Sequence, residues 1–105
     1  MSKRGLVLGG CALLLSCFAA TPVFAGTWQY DGYHWTYYND SAQLVTGWVN
    51  DGDYWYYMNS AGHMMTGWIK DEDKWYFLYD NGMMAANTWI DNYYVNGSGV
   101  WTQTR

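Results

Sequence analysis

Proline occurs once in 105 residues, cysteine twice, and lysine plus arginine five times. Charged residues make up only 13% of the chain, against roughly 25% in an average soluble domain. The shortage of bases, with a formal charge of −4 and a pI of about 4.6, argues against nucleic acid as a partner. Low charge beside 21% aromatic content excludes a disordered chain. The length leaves no room for a multidomain enzyme. What the chain has in abundance is tryptophan and tyrosine, eight and eleven of them, with twelve glycines.

Residues 1–25 differ from the rest. Lys3 and Arg4 precede an apolar run from Gly5 to Ala20, and Pro22 and Val23-Phe24-Ala25 follow. Small residues at Val23 and Ala25 suit signal peptidase, which predicts a secretory signal cleaved after Ala25. A membrane anchor is the competing reading. The run is shorter than the roughly 20 residues a span needs, and a cleavage site follows it. Leu14-Leu15-Ser16-Cys17 also resembles a lipobox, which would put a lipid on Cys17. Phe18 to Ala25 is apolar, unlike the polar tether of a lipoprotein.

Cleavage after Ala25 would remove both Cys11 and Cys17, so the exported chain is expected to fold without disulfides. Three bases (Lys70, Lys74 and Arg105) then face nine acids, and twenty of eighty residues are aromatic. No second apolar stretch follows, so the mature chain is expected to have no membrane span.

The aromatics are periodic. Trp28, Trp48, Trp68 and Trp89 are spaced 20, 20 and 21 residues apart. Trp35, Trp55 and Trp75 each lie seven residues after one of the first three. Ala42, Gly62 or Gly82 comes seven residues later again, and Leu44, Met64 or Met84 two residues after that. In the last unit Asn92 replaces the second tryptophan, while Gly99 and Trp101 keep the phase. Such a period is the signature of a repeat array. The expected units are 27–46, 47–66, 67–87 and 88–105.

Within a unit, Gly67-Trp68-Ile69-Lys70 predicts a strand, Asp71-Glu72-Asp73 a turn, and Lys74 to Tyr79 the return strand. Asp31-Gly32 and Asp51-Gly52 are expected at the corresponding turns, where Asp-Gly favours a tight hairpin. Asn59-Ser60-Ala61-Gly62 and Asp80-Asn81-Gly82 mark further turns. No helical period is present. A lone hairpin is marginal in water. Stacked hairpins can share a core between neighbours, expected here to be aromatic.

The stretch Thr46-Gly47-Trp48, Trp55-Tyr56-Tyr57-Met58-Asn59 and Gly62-His63-Met64-Met65-Thr66-Gly67-Trp68 closely resembles the choline-binding, or cell-wall-binding, repeat of Gram-positive bacteria and their phages. The resemblance covers residues 26–105. It implies an all-β fold, a left-handed β-solenoid of stacked hairpins, with ligand cages between consecutive units. Carried over position by position, the first cage is Trp28, Trp35 and Tyr56. The second is Trp48, Trp55 and Tyr76, and the third is Trp68, Trp75 and Tyr93. Met64 or Met84 would close a wall.

The strand pleat supplies a reason for this arrangement. Neighbours on a strand face opposite sides, so Trp55 and Tyr56 can serve two cages from one hairpin. Aromatic faces attract a quaternary ammonium by about 0.5–2 kcal/mol per contact. Tyr37, Tyr57, Phe77 and Tyr94 share one register position and are expected to pack rather than bind.

No catalytic constellation is visible. His34 and His63 are the only histidines and are expected to be exposed polar residues. Asp51-x-Asp53 and Asp71-Glu72-Asp73 fall on turns, where acids are common, and their spacing does not match a calcium loop. No enzyme activity, metal or cofactor is therefore expected.

The expected function is a secreted module at a Gram-positive cell surface or wall, holding choline-decorated teichoic or lipoteichoic acid. One alternative is a glucan or other cell-wall glycan, stacked on the same rings. Another is a structural role, in which the array adds an edge to a partner or to itself as a homodimer.

Overall fold

The computed structural model describes residues 26–105. The signal-peptide, anchor and lipobox readings fall on residues 1–25 and lie outside the described residues. Nine strands follow in order: β1 Thr27–Tyr30, β2 Trp35–Tyr38, β3 Gly47–Asp51, β4 Tyr54–Met58, β5 Gly67–Asp71, β6 Lys74–Leu78, β7 Thr88–Ile90, β8 Tyr93–Val95 and β9 Trp101–Thr104. No helix occurs among the described residues. The first six strands form three separate antiparallel hairpins. The last three form one sheet in the order β9-β8-β7. The all-β hairpin solenoid expected from the repeat is therefore the architecture found.

Register repeats with the sequence period. Trp28 pairs with Tyr37, Trp48 with Tyr57, Trp68 with Phe77 and Trp89 with Tyr94. After each of the first three hairpins the chain turns back and forms one bridge to its own second strand: Tyr38 with Leu44, Met58 with Met64, Leu78 with Met84. Asn39, Asn59 and Asn96 hold this turn in three units. Each side-chain Oδ1 accepts from two backbone N–H groups, at 2.9–3.0 Å. In the third unit Tyr79 stands at that position, and Asn81 Oδ1 instead accepts from Met83 N at 3.0 Å.

Successive units are joined by backbone as well as side chains. Met64 N donates to Trp35 O, and Met84 N donates to Trp55 O, both at 2.8 Å. Glycine makes the close approach possible. Gly62, Gly82 and Gly99 have φ of 82°, 88° and 83°. A Cβ there would also strike Leu44, Met64 or Met84 of the preceding unit, at 2.8, 2.3 and 2.4 Å at the closest atom. Ala42 occupies the first of these positions with φ 60°.

Two details differ from the sequence expectation. The tight turns of the second and third hairpins are Gly52-Asp53 and Glu72-Asp73, because Asp51 and Asp71 are the last strand residues, paired with Tyr54 and Lys74. Among the described residues the buried core is also mainly aliphatic: Val49, Met58, Ile69, Leu78, Ala85 and Val95, with Tyr37 the one aromatic. A two-stranded unit is too thin to enclose an indole, so compact side chains fill its centre and the large rings form the walls between units.

Candidate functional site

The strand pleat and the unit spacing bring three sets of rings to the unit boundaries. In the first, Trp28 lies 6.3 Å from Trp35 at an interplanar angle of 85°, and 4.9 Å from Tyr56 at 69°. In the second, Trp48 lies 6.4 Å from Trp55 at 84° and 4.8 Å from Tyr76 at 68°. These near-perpendicular rings form adjoining walls. Trp55 meets its own hairpin's Trp48, whereas the next residue, Tyr56, meets Trp28 of the preceding unit. One hairpin thus contributes to two ring sets.

Exposure separates wall from core. Trp35, Trp55 and Trp75 remain 41%, 44% and 38% exposed, whereas Met58 and Leu78 are 1% and 0% exposed. Three indoles held at one register and left open are a surface feature that folding alone does not require. Tyr37, Tyr57, Phe77 and Tyr94 instead lie edge-on to the first tryptophan of their own unit, at 4.9–5.3 Å.

The third ring set is built differently. Trp68 lies 5.7 Å from Tyr93 at 81°, and Tyr93 lies 6.0 Å from Trp101 at 82°. Trp68, Trp75, Tyr93 and Trp101 line an open cleft of about 340 Å³. Trp101 was not among the site residues expected from sequence. Its signal was its register: it follows Gly99 by two residues, as Met64 follows Gly62 and Met84 follows Gly82. Met64 and Met84 are half-buried, each against the glycine of the next unit. Met64 also packs on the Tyr37, Val49 and Met58 cluster beside Trp28 and Tyr56.

Two carboxylates were also missed. Asp51 Oδ2 accepts from Trp28 Nε1 at 2.9 Å, and Asp71 Oδ2 accepts from Trp48 Nε1 at 3.1 Å. Asp71 Oδ1 also takes the Tyr57 hydroxyl at 3.5 Å. Burial, followed by the negative charge of Asp51 or Asp71, holds the phenols of Tyr56 and Tyr76 above the usual tyrosine range. Negative charge therefore sits beside the first two ring sets. The fourth hairpin turns early, at Asp91-Asn92, and among the described residues no carboxylate accepts from the Trp68 indole.

His34 is exposed, but His63 is half-buried and stacks on it, with ring centroids 3.8 Å apart and planes 8° apart. Asp31 Oδ2 lies 3.8 Å from His34 Nδ1. Among the described residues no group of three or more His, Cys, Asp or Glu side chains gathers as a metal site. No described helix is long and apolar enough to cross a membrane.

A family model described as the choline-binding repeat matches residues 45–89. Among solved structures, choline binding protein F from Streptococcus pneumoniae is 48% identical, with a TM-score of 0.70, over 72% of this chain and 26% of that one. A choline binding domain from Streptococcus pneumoniae is 36% identical with a TM-score of 0.69, over 80% of this chain and 100% of that one. The multimodular pneumococcal cell wall endolysin from phage Cp-1, complexed with choline, is 35% identical with a TM-score of 0.67, over 86% of this chain and 28% of that one. The match thus spans about a quarter of the first and third of these proteins and the whole of the second. No curated protein sequence matches the chain.

Proposed function

Because the chain belongs to the choline-binding repeat family, we propose that it is a non-catalytic attachment module that takes choline groups of teichoic or lipoteichoic acid between its repeats. The observation that carries this reading is the recurrence of one arrangement at two boundaries. Two indoles of one unit and a tyrosine of the next stand nearly perpendicular, with a carboxylate beside them. Perpendicular walls offer several π faces to one compact cation, and the nearby carboxylate adds attraction. The site residues are Trp28, Trp35 and Tyr56 with Met64; Trp48, Trp55 and Tyr76 with Met84; and Trp68, Trp75 and Tyr93.

Magnitudes favour an array over a single site. At about 0.5–2 kcal/mol per face, three faces bring one cage into the range of a millimolar dissociation constant, about −4 kcal/mol. Attachment to a polymer then depends on several cages engaging one chain, which raises avidity by roughly 10²–10⁴. No bond is made or broken, so the module needs no catalytic group. Export under the leader at residues 1–25 would bring it to a Gram-positive cell surface.

The test is retention of the folded chain on a tertiary-amine resin and its elution by free choline. Folded protein that passes through unretained would overturn the choline reading. Retention on a choline-free cell-wall polysaccharide, unaffected by choline, would instead support stacking on sugar rings.

A further inference from the structure

The three ring sets share a register but not a chemistry. At the position two residues after the buried glycine, Met64 and Met84 supply a thioether to the units that complete the first two sets. The third carries the indole of Trp101. Its strand β9 slips register between Trp101 and Gln103, and such a bulge re-aims the side chain beside it. The indole is then fixed: Nε1 donates to Gln103 O at 3.0 Å and to Thr104 Oγ1 at 3.2 Å. Trp101 stays 39% exposed, edge-on to Tyr93.

The space differs as well. The Trp68–Tyr93 separation is 5.7 Å, against 4.9 and 4.8 Å for the matching pairs in the first two sets. The cleft of about 340 Å³ is walled by four aromatic rings, and among the described residues no carboxylate accepts from the Trp68 indole. More aromatic area, wider spacing and less negative charge all shift preference in one direction. They favour a ligand with more apolar surface around its cation over the most compact one.

We propose that Trp101 is a specificity-determining residue. It makes the third cage selective for a quaternary ammonium carrying a flat substituent larger than methyl, while the Met-walled cages favour the compact trimethylammonium group. This inference rests on the cage reading above and assigns the ligand class of one cage. The flat substituent stacks on Trp101, and the cation sits between Trp68, Trp75 and Tyr93.

The test titrates the full chain with choline and, separately, with benzyltrimethylammonium, following the indole N–H signals of each tryptophan by NMR. The expected result is that benzyltrimethylammonium binds at Trp68 and Trp75 at least tenfold more tightly than at the first two cages. Trp101→Met should abolish this preference and Trp101→Phe should keep most of it, with choline still bound at Trp48 and Trp55 in both. Equal binding of the benzyl ligand at all three cages overturns the inference, as does a preference that survives Trp101→Met. Either result with choline binding intact leaves the functional reading standing. Absence of choline binding to the folded chain overturns both. If Trp101→Met does not fold, the comparison of cages within the native chain decides the matter.

Discussion

The indole of Trp48 donates across a unit boundary to the carboxylate of Asp71, 23 positions along the chain, and Trp28 repeats the contact with Asp51. Each bond locks a ring of one hairpin to the end of the next hairpin's first strand. It also places a negative charge beside that ring set. Removing the acceptor leaves a half-buried indole N–H unpaired. Asp71→Ala should therefore lower stability by about 1–2 kcal/mol, measured by urea denaturation. Asp71→Asn keeps an acceptor and removes the charge. It should cost less stability but weaken choline at Trp48 by roughly fivefold, about 1 kcal/mol. The third cage should be unaffected in the same NMR titration.

Ala42 and Gly82 occupy one register position and should respond to substitution in opposite directions. Gly82 has φ 88°, and a Cβ there would meet Met64 Sδ at 2.3 Å. Gly82→Ala adds left-handed strain to a clash and should destabilise by about 2–3 kcal/mol. Ala42 is exposed at φ 60°, with no apolar side chain of a preceding described unit against it. Ala42→Gly relieves about 1–2 kcal/mol of strain and gives back about 0.5–1 kcal/mol as unfolded-state entropy. A small net stabilisation is expected, read as a rise in Tm.

Much of this was legible in the sequence, because the period is carried by residues that do the same physical work in every unit. Trp48, Trp55 and Tyr76 are spaced so that pleat and unit rise bring them together. What escaped is what the period itself does not encode. Trp101 kept the phase, yet its change from thioether to indole reads as a marker until the register slip in β9 shows where the ring goes. Asp51 and Asp71 look like ordinary turn acids. Only the pairing of Asp51 with Tyr54 and of Asp71 with Lys74 reveals them as strand ends reaching the preceding unit's indole. The aliphatic core was hidden for the opposite reason. Val49, Met58 and Leu78 are few and scattered beside so many rings, yet with Tyr37 as the aromatic exception it is such compact side chains that are enclosed.

The Glu72-Asp73 turn stores strain that the Gly52-Asp53 turn does not. Glu72 and Asp73 have φ of 49° and 66°, both left-handed and neither glycine. A two-residue hairpin of this shape favours Asn-Gly. Replacing the pair by Asn-Gly should stabilise the third hairpin by about 1 kcal/mol. Hydrogen-exchange protection of the Trp68–Phe77 pair is the local readout, and it should rise more than protection of Trp48–Tyr57.

Stability should fall at both ends of the pH scale, for different groups. Burial, then the charge of Asp51 or Asp71, raises the phenols of Tyr37, Tyr56, Tyr57 and Tyr76 above their ordinary 10.0. The folded chain keeps protons that the unfolded chain releases, so this stability is full below pH 10 and is lost as pH rises beyond it. At the acid end, backbone N–H groups of His34 and Tyr33 hold the Asp31 carboxyl below its ordinary 3.8. Its contribution is present above pH 3.8 and is lost as pH falls below it, and it is local to the first turn. Thermal melts across pH should show the alkaline decline in the global transition. The acid change should appear in exchange rates around Tyr33 and His34.

Trp89 stands at the register of Trp28, Trp48 and Trp68, but a different group covers it. In the first three units a tyrosine of the next unit lies against that indole. Over Trp89 the guanidinium carbon of Arg105 stands 4.2 Å from the ring centroid. Arg105 Nη2 donates to Asp91 O at 3.1 Å, and its backbone N donates to Asn92 O at 2.9 Å, so the guanidinium is held by the stack and one bond while the backbone is tied beside it. The chain thus supplies its own cation to the fourth indole, and the same contact fastens β9 to the turn between β7 and β8. Arg105→Ala removes the stack and the side-chain bond but keeps the backbone one. A loss of about 0.5–1 kcal/mol is expected, with Trp89 more accessible to acrylamide quenching of its fluorescence. Arg105→Lys keeps the charge without the planar face and should fall between the two. Unchanged quenching in Arg105→Ala would mean that the guanidinium does not shield Trp89 in solution.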